Sequence, residues 1–245
     1  LVATTAASNL IGTRPPTRMI SEAVHAVGAL HWVDGVHATP HASVDVVQLG
    51  VDVWTCSPYK FLGPHCGVVA APPELLERLH PDKLLPSKDD VPERFELGTL
   101  PYELMAGTTA AVDFLAGLGD LDDPVTPESR RRRLLASLDA LEEHEQQLME
   151  RLEPALRALP GVTVYSTAKH RTPTLLFTVE DRAPGEVHAF LAERGVNAPA
   201  GNFYAIECSR HLGLGDAGGV RVGLAPYTDD TDVDRLLEGL RALTG

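Results

Sequence analysis

Cysteine is scarce in this 245-residue chain. Cys56, Cys66 and Cys208 are too far apart for a C-x-x-C metal or redox pattern and too few for a disulfide framework. No metal site is expected, and the shortage suits a reducing cytoplasm. Positive charge is also in deficit: 21 Lys and Arg stand against 34 Asp and Glu, a formal net charge of −13. That balance excludes a nucleic-acid partner, which would need a basic face. No apolar run approaches the length of a membrane span and nothing resembles a secretion signal, so no membrane partner is expected. The phosphate-loop pattern G-x-x-x-x-G-K-[ST] is absent, which weakens a plain nucleotide-binding reading. Internal repeats and low-complexity tracts are missing too. So is an initiator Met: the chain opens on the strand-like Leu1-Val2-Ala3-Thr4, and an upstream portion is expected.

What the chain has is a 44% apolar content, enough for a real core. Strand-like runs at Leu1–Thr5, Ala29–Val33, Val51–Cys56 and Gly67–Ala71 alternate with helical spacing. One apolar face runs through Met19, Ile20, Ala23, Val24 and Val27, and Gly28 sits where that helix would end. This alternation predicts an α/β fold with a mostly parallel sheet flanked by helices. Pro72–Leu79 reads as a short helix, Pro81–Pro92 as a loop, Leu104–Leu118 as a helix and Asp120–Pro127 as a break. A long amphipathic helix follows over Glu128–Leu159, with an interruption expected near Pro154. Its Arg130–Arg133 run reads as a solvated helix face. Strands at Val162–Tyr165, Thr174–Val179 and Val220–Ala225, a helix at Gly185–Arg194 and a closing helix capped by Asp229 form a smaller C-terminal α+β domain. The expected division is 1–127 for part of the large domain, 128–159 for a connecting helix and 160–245 for the small domain.

Two motifs carry the chemistry. Trp32-Val33-Asp34-Gly35-Val36-His37 and Cys56-Ser57-Pro58-Tyr59-Lys60-Phe61-Leu62-Gly63-Pro64 each follow a strand-like run and end in turn-prone residues. In a parallel sheet the two strand ends bring Asp34 and Lys60 to one carboxyl edge, where α/β folds bind ligands. An acid and a lysine held together there are what pyridoxal phosphate requires. The lysine binds the cofactor aldehyde as a Schiff base, and the acid keeps the pyridine nitrogen protonated. Lys60, set between an apolar strand and Phe61-Leu62, is expected to be desolvated.

On these motifs, and on Ser8-Asn9-Leu10-Ile11-Gly12-Thr13 and the segment from Tyr227 to Leu243, the chain resembles the class V aminotransferase group. This is a branch of the fold type I pyridoxal phosphate enzymes, and within it the chain is most similar to the cysteine desulfurase-like proteins. The resemblance implies the fold type I transferase-like architecture and an enzyme that acts on a small amino acid through an external aldimine and a Cα carbanion. It implies that Lys60 is the cofactor-binding lysine and general base, with Asp34 on the pyridine nitrogen. His37 would meet the phenolic oxygen, where many relatives have Gln and the desulfurase-like branch often has His; His41 keeps a structural role. Ser57 would bind the phosphate, assisted by Tyr59 where relatives usually have His. Asn9 would reach cofactor or substrate. Arg221, in Gly219-Val220-Arg221-Val222-Gly223, would clamp the substrate carboxylate and so select the bond set perpendicular to the ring. Thr99, in Glu96-Leu97-Gly98-Thr99, would touch the neighbouring subunit's phosphate, implying a homodimer with shared sites.

The pattern departs in two places. Desulfurases carry a nucleophilic Cys after an Arg-x-Gly-x-x element. Here the stretch is Pro199-Ala200-Gly201-Asn202-Phe203-Tyr204, with Pro199 for the Arg and Tyr204 for the Cys. A phenol accepts no persulfide sulfur. Cys208 lies one helical turn on if Ala205–Leu212 is helical, although a lone Cys is more often packing than nucleophile. Relatives also place a phosphate-cradling loop and a ring-stacking residue ahead of the point where this chain begins. C–S lysis, transamination and epimerisation therefore stay open. The alternative is a non-catalytic scaffold, or a truncated fragment that keeps the fold for dimerisation or partner binding.

Overall fold

The computed structural model describes residues 1–119 and 126–245, so most of the expected break at 120–127 lies outside the described residues. The chain divides into two compact units, Leu1–Ala6 with Pro16–Leu138 and Ala7–Pro15 with Asp139–Gly245.

The first unit is built on β1 (Val2–Thr5), β2 (His31–Asp34), β3 (Val53–Cys56) and β4 (Val68–Ala70), hydrogen-bonded in that order. β1 to β3 run parallel and β4 antiparallel, giving the expected mostly parallel sheet. Its helices are α1 (Thr17–Ala26), α2 (Val46–Leu49), α3 (Pro73–Arg78), α4 (Tyr102–Ala116) and the first part of α5 (Pro127–Arg157). α1 ends as the sequence predicts: the N–H of Gly28, at φ +71°, bonds back to His25 O at 2.9 Å. α2 is too short to show a period. Its signals are local, with the Asp45 carboxylate accepting from Val47 and Gln48 N–H and Gly50 left-handed at its end.

The arginine run is not a plain solvated face. Arg130 pairs with Asp113 at 2.6 Å and Arg131 with Asp45 at 2.9 Å. Arg133 is buried and donates to the Ala116 carbonyl at 3.2 Å, satisfying an acceptor at the end of α4. The run ties α5 to α2 and α4 inside the first unit. α5 also runs through Pro154 without the expected interruption. That residue lies in the last turn, where the missing donor costs one bond and the chain is about to leave the helix anyway.

The second unit is α+β. Its sheet has the order β5 (Val162–Val164), β6 (Thr174–Val179), β8 (Gly219–Gly223), β7 (Ala200–Gly201), all antiparallel. The rest of α5, α6 (Pro184–Ala192), α7 (Ile206–His211) and α8 (Asp230–Thr244) complete it. Leu152 and Leu156 of α5, Leu175 and Phe177 of β6, Leu191 of α6 and Leu240 of α8 are buried together in its core. Asp229 caps α8 as expected, accepting from Thr231 and Asp232 N–H. Gly213-Leu214-Gly215-Asp216-Ala217-Gly218 does have the spacing G-x-G-x-x-G. It leaves helix α7 and enters strand β8, the reverse of the strand-to-helix order a dinucleotide loop needs.

The excursion Ala7–Pro15 belongs to the second unit. Ser8 Oγ accepts from Leu10 and Ile11 N–H, and Arg14 pairs with Glu142 of α5 at 2.8 Å. Gly12, at φ +73°, passes so close to Thr172 that a Cβ would lie 2.9 Å from its carbonyl oxygen.

Candidate functional site

Parallel pairing of β2 with β3 sets Asp34 opposite Thr55. Both strands therefore end at the same sheet edge, Asp34 as the last residue of β2 and Ser57 directly after β3. The Asp34 carboxylate accepts from Val36 N–H at 2.9 Å, and Gly35 N–H bonds to Thr55 O at 2.8 Å. Gly35 lies on the Trp54 indole, where a Cβ would come within 2.1 Å of ring carbons. Trp54 Nε1 donates to Thr39 Oγ1, which donates to Gly35 O. The turn that carries Asp34 is thus clamped from beneath by a side chain of the neighbouring strand. His37, half-buried, meets the His41 ring edge-on at 5.4 Å.

Ser57 leads into a 3₁₀ turn over Pro58–Phe61 whose first bond runs from Lys60 N–H to Ser57 O at 2.9 Å. Pro58 and Phe61 are buried, Tyr59 and Lys60 exposed. The expectation of a desolvated Lys60 is corrected here: a single 3₁₀ turn turns two of its four side chains inward, and Lys60 is not one of them. Its Nζ lies 5.2 Å from the centre of the Tyr59 ring, and that ring stacks flat on His65 at 4.9 Å. Thr99 is exposed beside the left-handed Gly98 and is not joined to this group by a hydrogen bond among the described residues. A groove of about 840 Å³ in the same unit, lined by residues such as Trp32, Phe95, Leu104 and Met105, contains none of these candidates.

The second unit holds the other two. Arg221 lies on β8 and Asn9 in the Ser8–Gly12 turn, and Arg221 Nη1 donates to Asn9 O at 2.7 Å. Burial pulls the Arg221 guanidinium below the usual arginine range. Asn9 Nδ2 donates to Phe203 O at 2.7 Å, and the Phe203 ring stacks on the guanidinium at 3.9 Å. Sequence reasoning passed over Phe203 and His65. Neither carries a signal of its own, because each matters only through the ring or guanidinium it stacks on.

Residues 1–236 match the family model for class V aminotransferases. The chain belongs to the class V aminotransferase family. It is 36% identical, over 98% of its length and 58% of the other protein, to the "Aminotransferase-like protein FGM3" of Gibberella zeae. It is 30% identical, over 98% of its length and 57% of the other, to a "Probable cysteine desulfurase" of Halalkalibacterium halodurans. Its structure superposes with a TM-score of 0.82 on the crystal structure of the cysteine desulfurase CsdA of Escherichia coli, at 27% identity, covering 98% of this chain and 58% of that one. The fold is that of the fold type I pyridoxal phosphate enzymes. This class V aminotransferase-family chain spans less than two thirds of the length of the relatives it matches.

The donor set of the first unit fits that cofactor. It offers an acid for a pyridinium N–H, a primary amine for an aldehyde, and the Ser57 and Tyr59 hydroxyls for phosphate oxygens, all at one sheet edge. The desulfurase nucleophile has no counterpart of suitable chemistry. Tyr204 is fully exposed. Cys208 is indeed on the short α7, but burial raises its pKa and so lowers its thiolate fraction.

Proposed function

We propose that this chain is the lysine-bearing and carboxylate-binding part of a pyridoxal phosphate enzyme that acts at Cα of a small amino acid, without forming a protein persulfide. The observation that carries the reading is the placement of Asp34 and Lys60 beyond the ends of adjacent parallel strands. When bound, the cofactor supplies an aldehyde for amines and an electron-withdrawing ring that stabilises negative charge at Cα. Asp34, its turn locked on Trp54, holds the pyridine nitrogen as N–H, and His37 donates to the phenolic oxygen. Ser57 and Tyr59 bind phosphate oxygens, joined by Thr99 of a second subunit in a homodimer with shared sites. Lys60 takes and returns the Cα proton. Arg221, with Asn9, binds the α-carboxylate and sets the orientation of Cα. C–S lysis, transamination and epimerisation share these steps. Three free thiols are in keeping with a cytoplasmic setting. Among the described residues no helix is long and apolar enough to cross a membrane.

The test is borohydride trapping after incubation with pyridoxal phosphate, on this chain and on the longest natural protein that contains it, followed by peptide mass mapping. A phosphopyridoxyl group on Lys60 is expected, and it disappears in Lys60→Ala. No label in either protein would sink the enzyme reading and leave a scaffold.

A further inference from the structure

Arg221 is held by two turns of its own unit. Its guanidinium lies 3.9 Å from the centre of the Phe203 ring, Nη1 donates to Asn9 O, and Asn9 Nδ2 donates back to Phe203 O, closing a ring of three residues. Phe203 and Tyr204 both have positive φ, +53° and +65°, a region L side chains rarely adopt. The turn is kept there by Asn202. Its Oδ1 accepts from Tyr204 N–H at 3.1 Å and its Nδ2 donates to Asp216 O at 2.9 Å. Gly218 allows the approach, since a Cβ there would lie 2.0 Å from Gly201 O. Two strained residues in succession, held in place from several sides, point to a geometry that serves a purpose beyond closing a loop.

The guanidinium itself is incompletely used. It is half-buried, yet among the described residues no carboxylate pairs with it and neither Nε nor Nη2 has a hydrogen-bond partner. Buried or half-buried arginines ordinarily meet an acid.

We propose that Phe203 is a positioning residue for Arg221: its ring fixes the guanidinium plane so that the Nε–Nη2 edge faces a substrate α-carboxylate as a ready fork. The proposal rests on the functional reading above and deepens it. An arginine side chain loses much rotamer freedom when it grips a ligand. A flat ring on one face and one carbonyl on Nη1 remove that freedom beforehand, and the attraction between cation and ring strengthens where water is excluded. The carboxylate then meets two parallel donors at little further cost.

Two probes test this: N-(phosphopyridoxyl)-L-alanine and its carboxamide, titrated calorimetrically into the whole chain and into Phe203→Leu and Phe203→Tyr. The wild-type chain is expected to prefer the carboxylate. Phe203→Leu should lose about tenfold in carboxylate binding, about 1.4 kcal/mol, with carboxamide binding unchanged, and Phe203→Tyr should restore the preference. A readout that needs no ligand accompanies it. The Arg221 Nε–H proton should be shifted upfield by the ring in the wild type and Phe203→Tyr, and return downfield in Phe203→Leu. Full carboxylate preference in Phe203→Leu overturns the positioning role while leaving the functional reading intact. Binding of neither probe to the wild type removes the functional reading, and the proposal with it. If Phe203→Leu does not fold by circular dichroism, Phe203→Met takes its place. An unshifted wild-type Nε–H proton overturns the proposal whichever variant folds.

Discussion

Gly35 admits no side chain, because the Trp54 indole fills the space where a Cβ would stand. Gly35→Ala must push the Asp34 turn off the sheet edge or displace the indole, and overpacking of that kind costs about 1–3 kcal/mol. The loss should appear as a lower urea midpoint, with cofactor labelling of Lys60 reduced alongside it; an unchanged midpoint would show that the turn is not clamped. Tyr204 presents the opposite case: fully exposed, it packs against nothing, yet its backbone is left-handed. Tyr204→Asn keeps the turn with a residue that tolerates this conformation, so Tm should rise by a few degrees. Calorimetry checks it, and a fall in Tm would contradict the strain argument. Asp34 and Lys60 were legible as residues, because their chemistry and their positions after apolar runs suffice to select them. The exposure of Lys60 was not, since the inward side of a 3₁₀ turn is set by what packs beneath it.

Among the elements, β2 and β3 were readable from apolar runs and turn residues, and α1 and α8 from period and caps. α2 and β7, of four and two residues, are too short to carry a period. The arginine run of α5 shows the limit of charge patterns, which give sign and spacing but not partners. Arg133 is buried against the end of α4, so Arg133→Glu would set a carboxylate beside the Ala116 carbonyl. That places like partial charges together in a desolvated place, and the chain should fail to reach its native near-ultraviolet dichroism. Arg132→Glu, one residue earlier at an exposed position, should fold normally. In the second unit the packing of α5 on β6, α6 and α8 makes Leu152 a core residue at 1% exposure. Leu152→Ala should cost about 2–5 kcal/mol in denaturant unfolding. A cost below 1 kcal/mol would mean that α5 is not packed as described.

At the scale of the whole molecule, pH enters through His31, which is buried between Ser21 Oγ and Thr4 Oγ1 at 2.8 Å each. Burial lowers its pKa from the ordinary 6.5, outweighing the opposite pull of Asp52. The folded chain thus binds the proton less readily than the unfolded one. Its stabilising share is present above about pH 6.5 and is lost as the pH falls towards the folded value. Urea midpoints between pH 7.5 and about 5 should therefore decline, and His31→Gln should flatten that slope. Asp216 and Asp229, held low by hydrogen bonds from Arg210 and Thr231, lose their contributions only in more acidic solution. The sequence by itself determined the α/β class, the acid and lysine at one sheet edge, and the want of a desulfurase thiol at Tyr204. These follow from periodicity, residue chemistry and order along the chain, which need no third dimension. Only the tertiary structure decided that Trp54 clamps the Asp34 turn, that Arg133 ends α4, and that Phe203 stacks on Arg221. Each of those pairs is far apart in sequence, and their meeting depends on strand register and packing, which no local pattern encodes.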